Sequence, residues 1–154
     1  MRGSGVDARA LKRALRMLLA SVDRAEDEIS LTLVNDARIR EINRVQRGKD
    51  AATDVLSFPL HPESFGDRDR AQGARLSGPP TLLGDIVISL DTARRQAADY
   101  DAPLHRELER LMIHGLLHVL GHDHMEPRER SVMEAEERRL AAAIGMPWPY
   151  DESS

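Results

Sequence analysis

An α+β fold, with a small mixed sheet covered by helices on one side, is what this sequence predicts, and two patterns predict it. Apolar residues recur at helical spacing in five segments, while three shorter runs read as strands. Their order is helix, strand, helix, strand, strand and then three helices, which lacks the strict alternation of a doubly wound parallel sheet.

Each element has a local reason. Leu11, Ala14, Leu15, Leu18 and Leu19 form one stripe within residues 7–20, after Asp7 as a helix cap. Ile29, Leu31 and Leu33 alternate with Ser30 and Thr32, the mark of a strand with one buried face. Asn35-Asp36 then caps a second helix to about Gln46, with Ile39, Ile42 and Val45 predicted inward and Gly48 as its stop. Arg40, Arg44 and Arg47 fall on another, nearly contiguous side.

Val55-Leu56-Ser57-Phe58 reads as a short strand ended by Pro59, and Leu82 to Leu90 as a longer one. Residues 61–81 between them are rich in Gly, Pro and charge, and are expected to form a mobile flap. Asp91 is expected to cap a helix through about Ala98. Pro103 suits the first turn of the next helix, and Pro127 starts a last one through Ile144, ended by Gly145 and Pro147.

Composition narrows the function. The 154 residues suit a single domain, residues 1–154. Aromatics make up only 3%, which argues against an RNA-recognition sheet with stacking rings. There is no cysteine, so neither disulfides nor thiolate ligands are available. The apolar run from Leu111 to Leu120 is too short to span a bilayer, and the N-terminus has no signal-peptide core, so a cytoplasmic, membrane-free protein is expected. The net charge of −4 does not announce a nucleic-acid binder. A local basic concentration at Arg38, Arg40, Arg44, Arg47 and Lys49 coexists with acidic residues Glu126, Glu129, Glu134, Glu136 and Glu137.

The most specific signal is His114-Gly115-Leu116-Leu117-His118-Val119-Leu120-Gly121-His122-Asp123-His124. His114 and His118 are four residues apart, so a helix presents both from one face to a common ion. Gly121 can take a positive φ, end the helix and return His122 or His124 toward the pair; His124 is the better third ligand. This places a metal site at the end of the central buried helix. The apolar surroundings of the pair make unpartnered imidazoles costly. Three nitrogen ligands, His114, His118 and His124, leave one coordination position open, as in catalytic zinc. Zinc, nickel, copper or iron would suit imidazole, and zinc would bring a bound water toward a pKa of about 7. Asp123 could orient a histidine or take a proton, or be a solvated turn residue.

The spacing equals that of long zinc-peptidase signatures, but Gly115 stands where those enzymes carry their glutamate base. Gly115 is expected instead to leave space for a substrate backbone.

Three separated segments match one family. Through Arg47-Gly48-Lys49-Asp50 with Thr53-Asp54-Val55-Leu56-Ser57-Phe58-Pro59, then Leu82-Leu83-Gly84-Asp85-Ile86-Val87-Ile88, then the histidine run, residues 30–145 resemble the bacterial YbeY family of metal-dependent endoribonucleases. The resemblance implies a zinc-type divalent ion at His114, His118 and His124, and cleavage of single-stranded RNA. It implies roles in 16S rRNA 3′ end maturation and ribosome quality control, with small ribosomal subunit components as partners. It also implies catalytic roles for Arg47 and His114, with Arg47 facing the site. Arg40, Arg44, Arg47 and Lys49 are the candidate RNA-binding residues. A guanidinium beside the metal could hold a phosphate through two parallel donors.

Two features depart from the family pattern. His122 stands where tyrosine is common, so it either competes for metal or lines the cleft. Met1-Arg2-Gly3-Ser4-Gly5 looks like an added leader or a trimmed start where the family has a strand, so the sheet is expected to lack one strand or to borrow one. Two other readings stay open: a metallopeptidase or other metal hydrolase, and a noncatalytic ribosome-assembly factor stabilised by metal.

Overall fold

The structure, a computed structural model, describes residues 6–60, 81–122 and 126–146. In chain order it contains α1 (Ala8–Ser21), β1 (Glu28–Val34), α2 (Asp36–Arg47), β2 (Val55–Pro59), β3 (Leu82–Ser89), α3 (Leu90–Asp99), α4 (Leu104–Val119) and α5 (Pro127–Ala143). This is the α+β element order read from the sequence. Nearly all of the 61–81 flap, residues 61–80, lies outside the described residues, as do the leader at 1–5 and Asp123 and His124.

The three described strands lie in the order β1-β3-β2, with β1 parallel and β2 antiparallel to β3. Ile86 sits at the centre, paired with Leu31 on one side and Ser57 on the other. Side chains on β3 alternate between faces. Ile86 and Ile88 join the main core with Leu111, Met112, Leu116 and Leu117 of α4, Leu11, Leu15 and Leu18 of α1, and Met133 and Leu140 of α5. Burying each large aliphatic side chain stabilises the fold by about 1.5–3 kcal/mol before chain entropy is set against it.

Val87 points the other way and packs with Leu56 and with Ile39 of α2. Helices therefore cover both faces, not one. The apolar stripe of α2 is also narrower than its spacing suggests. Ile39 is fully buried, but Val45 is 60% exposed. Asn43 takes the inward place there, donating from Nδ2 to the Ala51 carbonyl at 2.9 Å and so folding the 48–51 turn against the helix.

Local signals set most helix ends. Asp7 accepts from the Ala10 amide and Asn35 from the Arg38 amide, as side-chain caps should. α3 differs from expectation: Ser89, not Asp91, is its cap. Asp91 Oδ2 instead accepts from the Asp36 amide at the start of α2, 3.0 Å away, a partner distant in sequence. Pro103 is the cap of α4, one place earlier than expected.

Candidate metal and phosphate site

Both candidate ligands on α4 lie near its C-terminal end, where the helix is held close to the sheet. Gly115 is what permits that approach. A Cβ there would come within 2.8 Å of Ile86 Cγ2, closer than packed atoms tolerate. The expectation that Gly115 leaves room for a substrate backbone is therefore corrected: the room is filled by Ile86. The same contact bears on peptidase chemistry, because a glutamate at position 115 would be driven into β3.

The imidazoles of His114 and His118 stand edge to face, with centroids 4.6 Å apart and an interplanar angle of 76°. Their Nε2 atoms face one another at 3.1 Å. The Nδ1 atoms turn away onto oxygen: that of His114 meets Glu137 Oε2 at 3.1 Å, and that of His118 meets the His122 carbonyl at 3.0 Å. A carbonyl oxygen accepts only, as does an ionised carboxylate, so each ring donates from Nδ1. In the neutral rings the Nε2 lone pairs then converge. Two nitrogens at about 2.0–2.1 Å from one tetrahedral ion would be about 3.3 Å apart, close to the spacing observed. These two nitrogens suit a divalent ion of the zinc type, and among the described residues no third side chain completes a group of three.

The chain after α4 supports this arrangement. Gly121 has φ 97°, with its amide donating to His118 O and the His122 amide to Leu117 O. That reversal brings the His122 carbonyl onto the His118 ring.

Glu137 was hidden in the sequence among five acidic residues. Its signal was positional: it shares the inward face of α5 with buried Met133, Leu140 and Ala141. A carboxylate on a buried stripe asks for a partner.

Arg47 lies at the end of α2 and donates from Nη2 to the Ser57 carbonyl on β2 at 2.8 Å, with its guanidinium 5.4 Å from the Phe58 ring centroid. Ser57 Oγ in turn donates to the Gly115 carbonyl at 3.2 Å. Ser57 thus bridges the arginine and the helix that carries both histidines. Two of the other basic candidates are engaged locally. Arg40 pairs with Asp50, and Arg44 with Glu41, each through two N–H groups at an exposed surface. Hydrogen bonding from Arg40 holds the Asp50 carboxyl below its usual value of 3.8. Lys49 is exposed.

Among the described residues, no helix is long and apolar enough to cross a membrane.

Together the mixed sheet, the close-packed α4 and the converging imidazoles define a small α+β protein built around a histidine-bearing helix. The sequence profile described as Endoribonuclease YbeY matches residues 5–145. The chain belongs to the YbeY family. It is 50% identical over 139 residues to the Endoribonuclease YbeY of Anaeromyxobacter sp. (strain Fw109-5), covering 90% of this chain and 66% of that protein. It is 46% identical over 145 residues to that of Myxococcus xanthus (strain DK1622), covering 94% of this chain and 46% of the relative. The chain therefore spans between about half and two thirds of the length of these two relatives. A solution structure from Thermotoga maritima shares the fold with a TM-score of 0.61 at 24% identity, covering 94% of this chain and 84% of the other.

Proposed function

We propose that this protein is a metal-dependent, single-strand-specific endoribonuclease acting in 16S rRNA 3′ end maturation and ribosome quality control in the cytoplasm, with small-subunit components as partners. The relatives are named endoribonucleases, and one geometric observation carries the metal dependence: both imidazoles are held by oxygen acceptors at Nδ1, leaving the two Nε2 atoms convergent at 3.1 Å.

In this reading His114 and His118 hold one divalent ion, zinc first, with His124 as third ligand. A bound ion supplies Lewis acidity toward the phosphodiester and acidifies a water. The chain's own residues do the rest. Glu137 and the His122 carbonyl fix the two ring orientations. Arg47, anchored through Ser57 and exposed, uses its other N–H groups to hold a nonbridging phosphate oxygen and to offset charge that develops there. Arg40 and Arg44 extend a cationic approach once their exposed local pairs exchange with phosphate, which is inexpensive because such pairs are worth little, and the exposed Lys49 adds to it.

The contact of Gly115 with Ile86 argues against the peptidase alternative. The test is cleavage of a single-stranded RNA by metal-loaded protein beside a chelated sample and His118→Ala, all prepared identically. Cleavage by the loaded wild type alone is expected. Intact RNA in all three would favour the noncatalytic assembly factor.

A further inference from the structure

The strongest unassigned feature of the surface is the outer face of α1. Arg9, Lys12, Arg13 and Arg16 recur at helical spacing and are all exposed, forming one stripe about 10 Å long at 1.5 Å rise per residue. No acidic residue occurs between Ala8 and Ser21, although acidic residues outnumber basic ones in the chain, 26 to 22. Among the described residues these four side chains make neither ion pairs nor hydrogen bonds. The other exposed helices carry acidic residues among their cations: on α2 Arg44 pairs with Glu41, and on α5 Arg139 pairs with Glu136.

Local energetics oppose the stripe. Arg9 and Lys12 with Arg13 and Arg16 make like-charge neighbours at three and four residues, which weakens a helix. Arg9 also lies in the first turn, where the helix dipole disfavours a cation. The arrangement therefore contributes nothing to the helix that bears it, and a polyanion is what would turn it to advantage.

We propose that this face of α1 is a second RNA-docking surface, one that holds the phosphate backbone of a structured RNA while a single-stranded segment occupies the histidine site. The identity of the polyanion rests on the endoribonuclease reading. Two observations favour RNA over other anionic partners. The apolar side of α1, Leu11, Leu15, Leu18 and Leu19, is buried in the core, so the helix has no face to insert into lipid. The stripe also lacks the aromatic or aliphatic anchors of a protein interface, Met17 being the one exposed large apolar residue within α1. α1 packs on α4 and α5, the helices that carry His114, His118 and Glu137.

The test substitutes Arg9→Gln, Lys12→Gln, Arg13→Gln and Arg16→Gln together; glutamine keeps helix propensity, and none of the four is buried. Binding is followed by anisotropy across a salt series for two RNAs, a short single strand and a hairpin with a single-stranded tail, and cleavage is followed on the short strand. The expected result is unchanged cleavage and affinity for the short strand, with hairpin affinity lowered at least about tenfold at low salt and its log K against log salt slope shallower by about 3. Equal hairpin affinity and slope in both proteins would overturn the proposal while leaving the cleavage reading intact. Hairpin binding that depends on the stripe in a protein that cleaves nothing would support the stripe and sink the cleavage reading. Stripe-dependent binding to vesicles of anionic phospholipid, with hairpin affinity unmoved, would also overturn it. Circular dichroism matching the wild type shows that the variant is folded; single variants Lys12→Gln and Arg16→Gln, each expected to shift the slope by about 1, provide the same readout with less perturbation.

Discussion

Glu137 Oε2 lies 3.1 Å from His114 Nδ1, joining α5 to the helix that carries both candidate ligands. With side-chain exposures of 28% for His114 and 13% for Glu137, the contact is sheltered enough to hold the ring in one tautomer. Carboxylates placed behind ligating histidines contribute about 10–100-fold to metal affinity. Glu137→Ala is therefore expected to weaken zinc binding by about that factor, and Glu137→Gln by less, since its amide oxygen can still accept. Competition with a chelator of known affinity measures this. Wild-type affinity in the alanine variant would reduce Glu137 to a packing residue.

Much of this scaffold was legible because it is written locally. Asp7, Asn35 and Gly48 act on amides within a few residues, and the His114–His118 interval needs only one helix turn. What was not legible depends on approach between distant segments. Asp91 has a residue type that suits a cap, yet Ser89 caps the helix and Asp91 is drawn to α2. Val45 fits the helical period of α2 but is exposed, and Asn43 takes the inward place. Gly115 looked like vacant space because spacing alone does not reveal that Ile86 occupies it. Glu137 could be told from adjacent Glu136 only by asking which lies on the buried side of α5.

Arg47 is tied to β2 by a 2.8 Å hydrogen bond to the Ser57 carbonyl and by its position over Phe58. Arg47→Ala is expected to lower RNA cleavage by at least about 100-fold, the usual loss when one preorganised charge-stabilising donor is removed. Metal content should not change. Arg47→Lys should recover only a small part, because an ammonium lacks the planar fork. Turnover measured beside metal stoichiometry checks both statements, and full activity in the alanine variant would remove Arg47 from the reaction.

Gly115→Ala tests how tightly the histidine helix is seated. The added methyl would meet Ile86 Cγ2 at 2.8 Å and two further Ile86 atoms at 3.2 Å. That side chain is stiff because it branches at Cβ. Overpacking of this kind costs about 1–3 kcal/mol. The expected result is a lower urea midpoint with unchanged slope, although alanine has the higher intrinsic helix propensity. A rise in stability would show that α4 can move off the sheet freely.

Asp36 supplies a pH-dependent contribution at the junction of α2 and α3. Its Oδ1 accepts from Ser89 Oγ at 2.5 Å and Thr92 Oγ1 at 2.7 Å, while Arg95 lies 2.9 Å from Oδ2. The Ser89 hydrogen bond first, then that of Thr92, hold the carboxyl below its usual 3.8 in the folded protein. A carboxyl with a depressed native value stabilises the fold fully above its unfolded value, and that contribution is lost as pH falls through the native value. Asp36→Asn should therefore be less stable than wild type at pH 6, with the gap narrowing as pH drops below about 3.8. Denaturation curves for both proteins from pH 6 to pH 3 measure that gap; a difference independent of pH would mean that the amide loses shape or packing rather than charge.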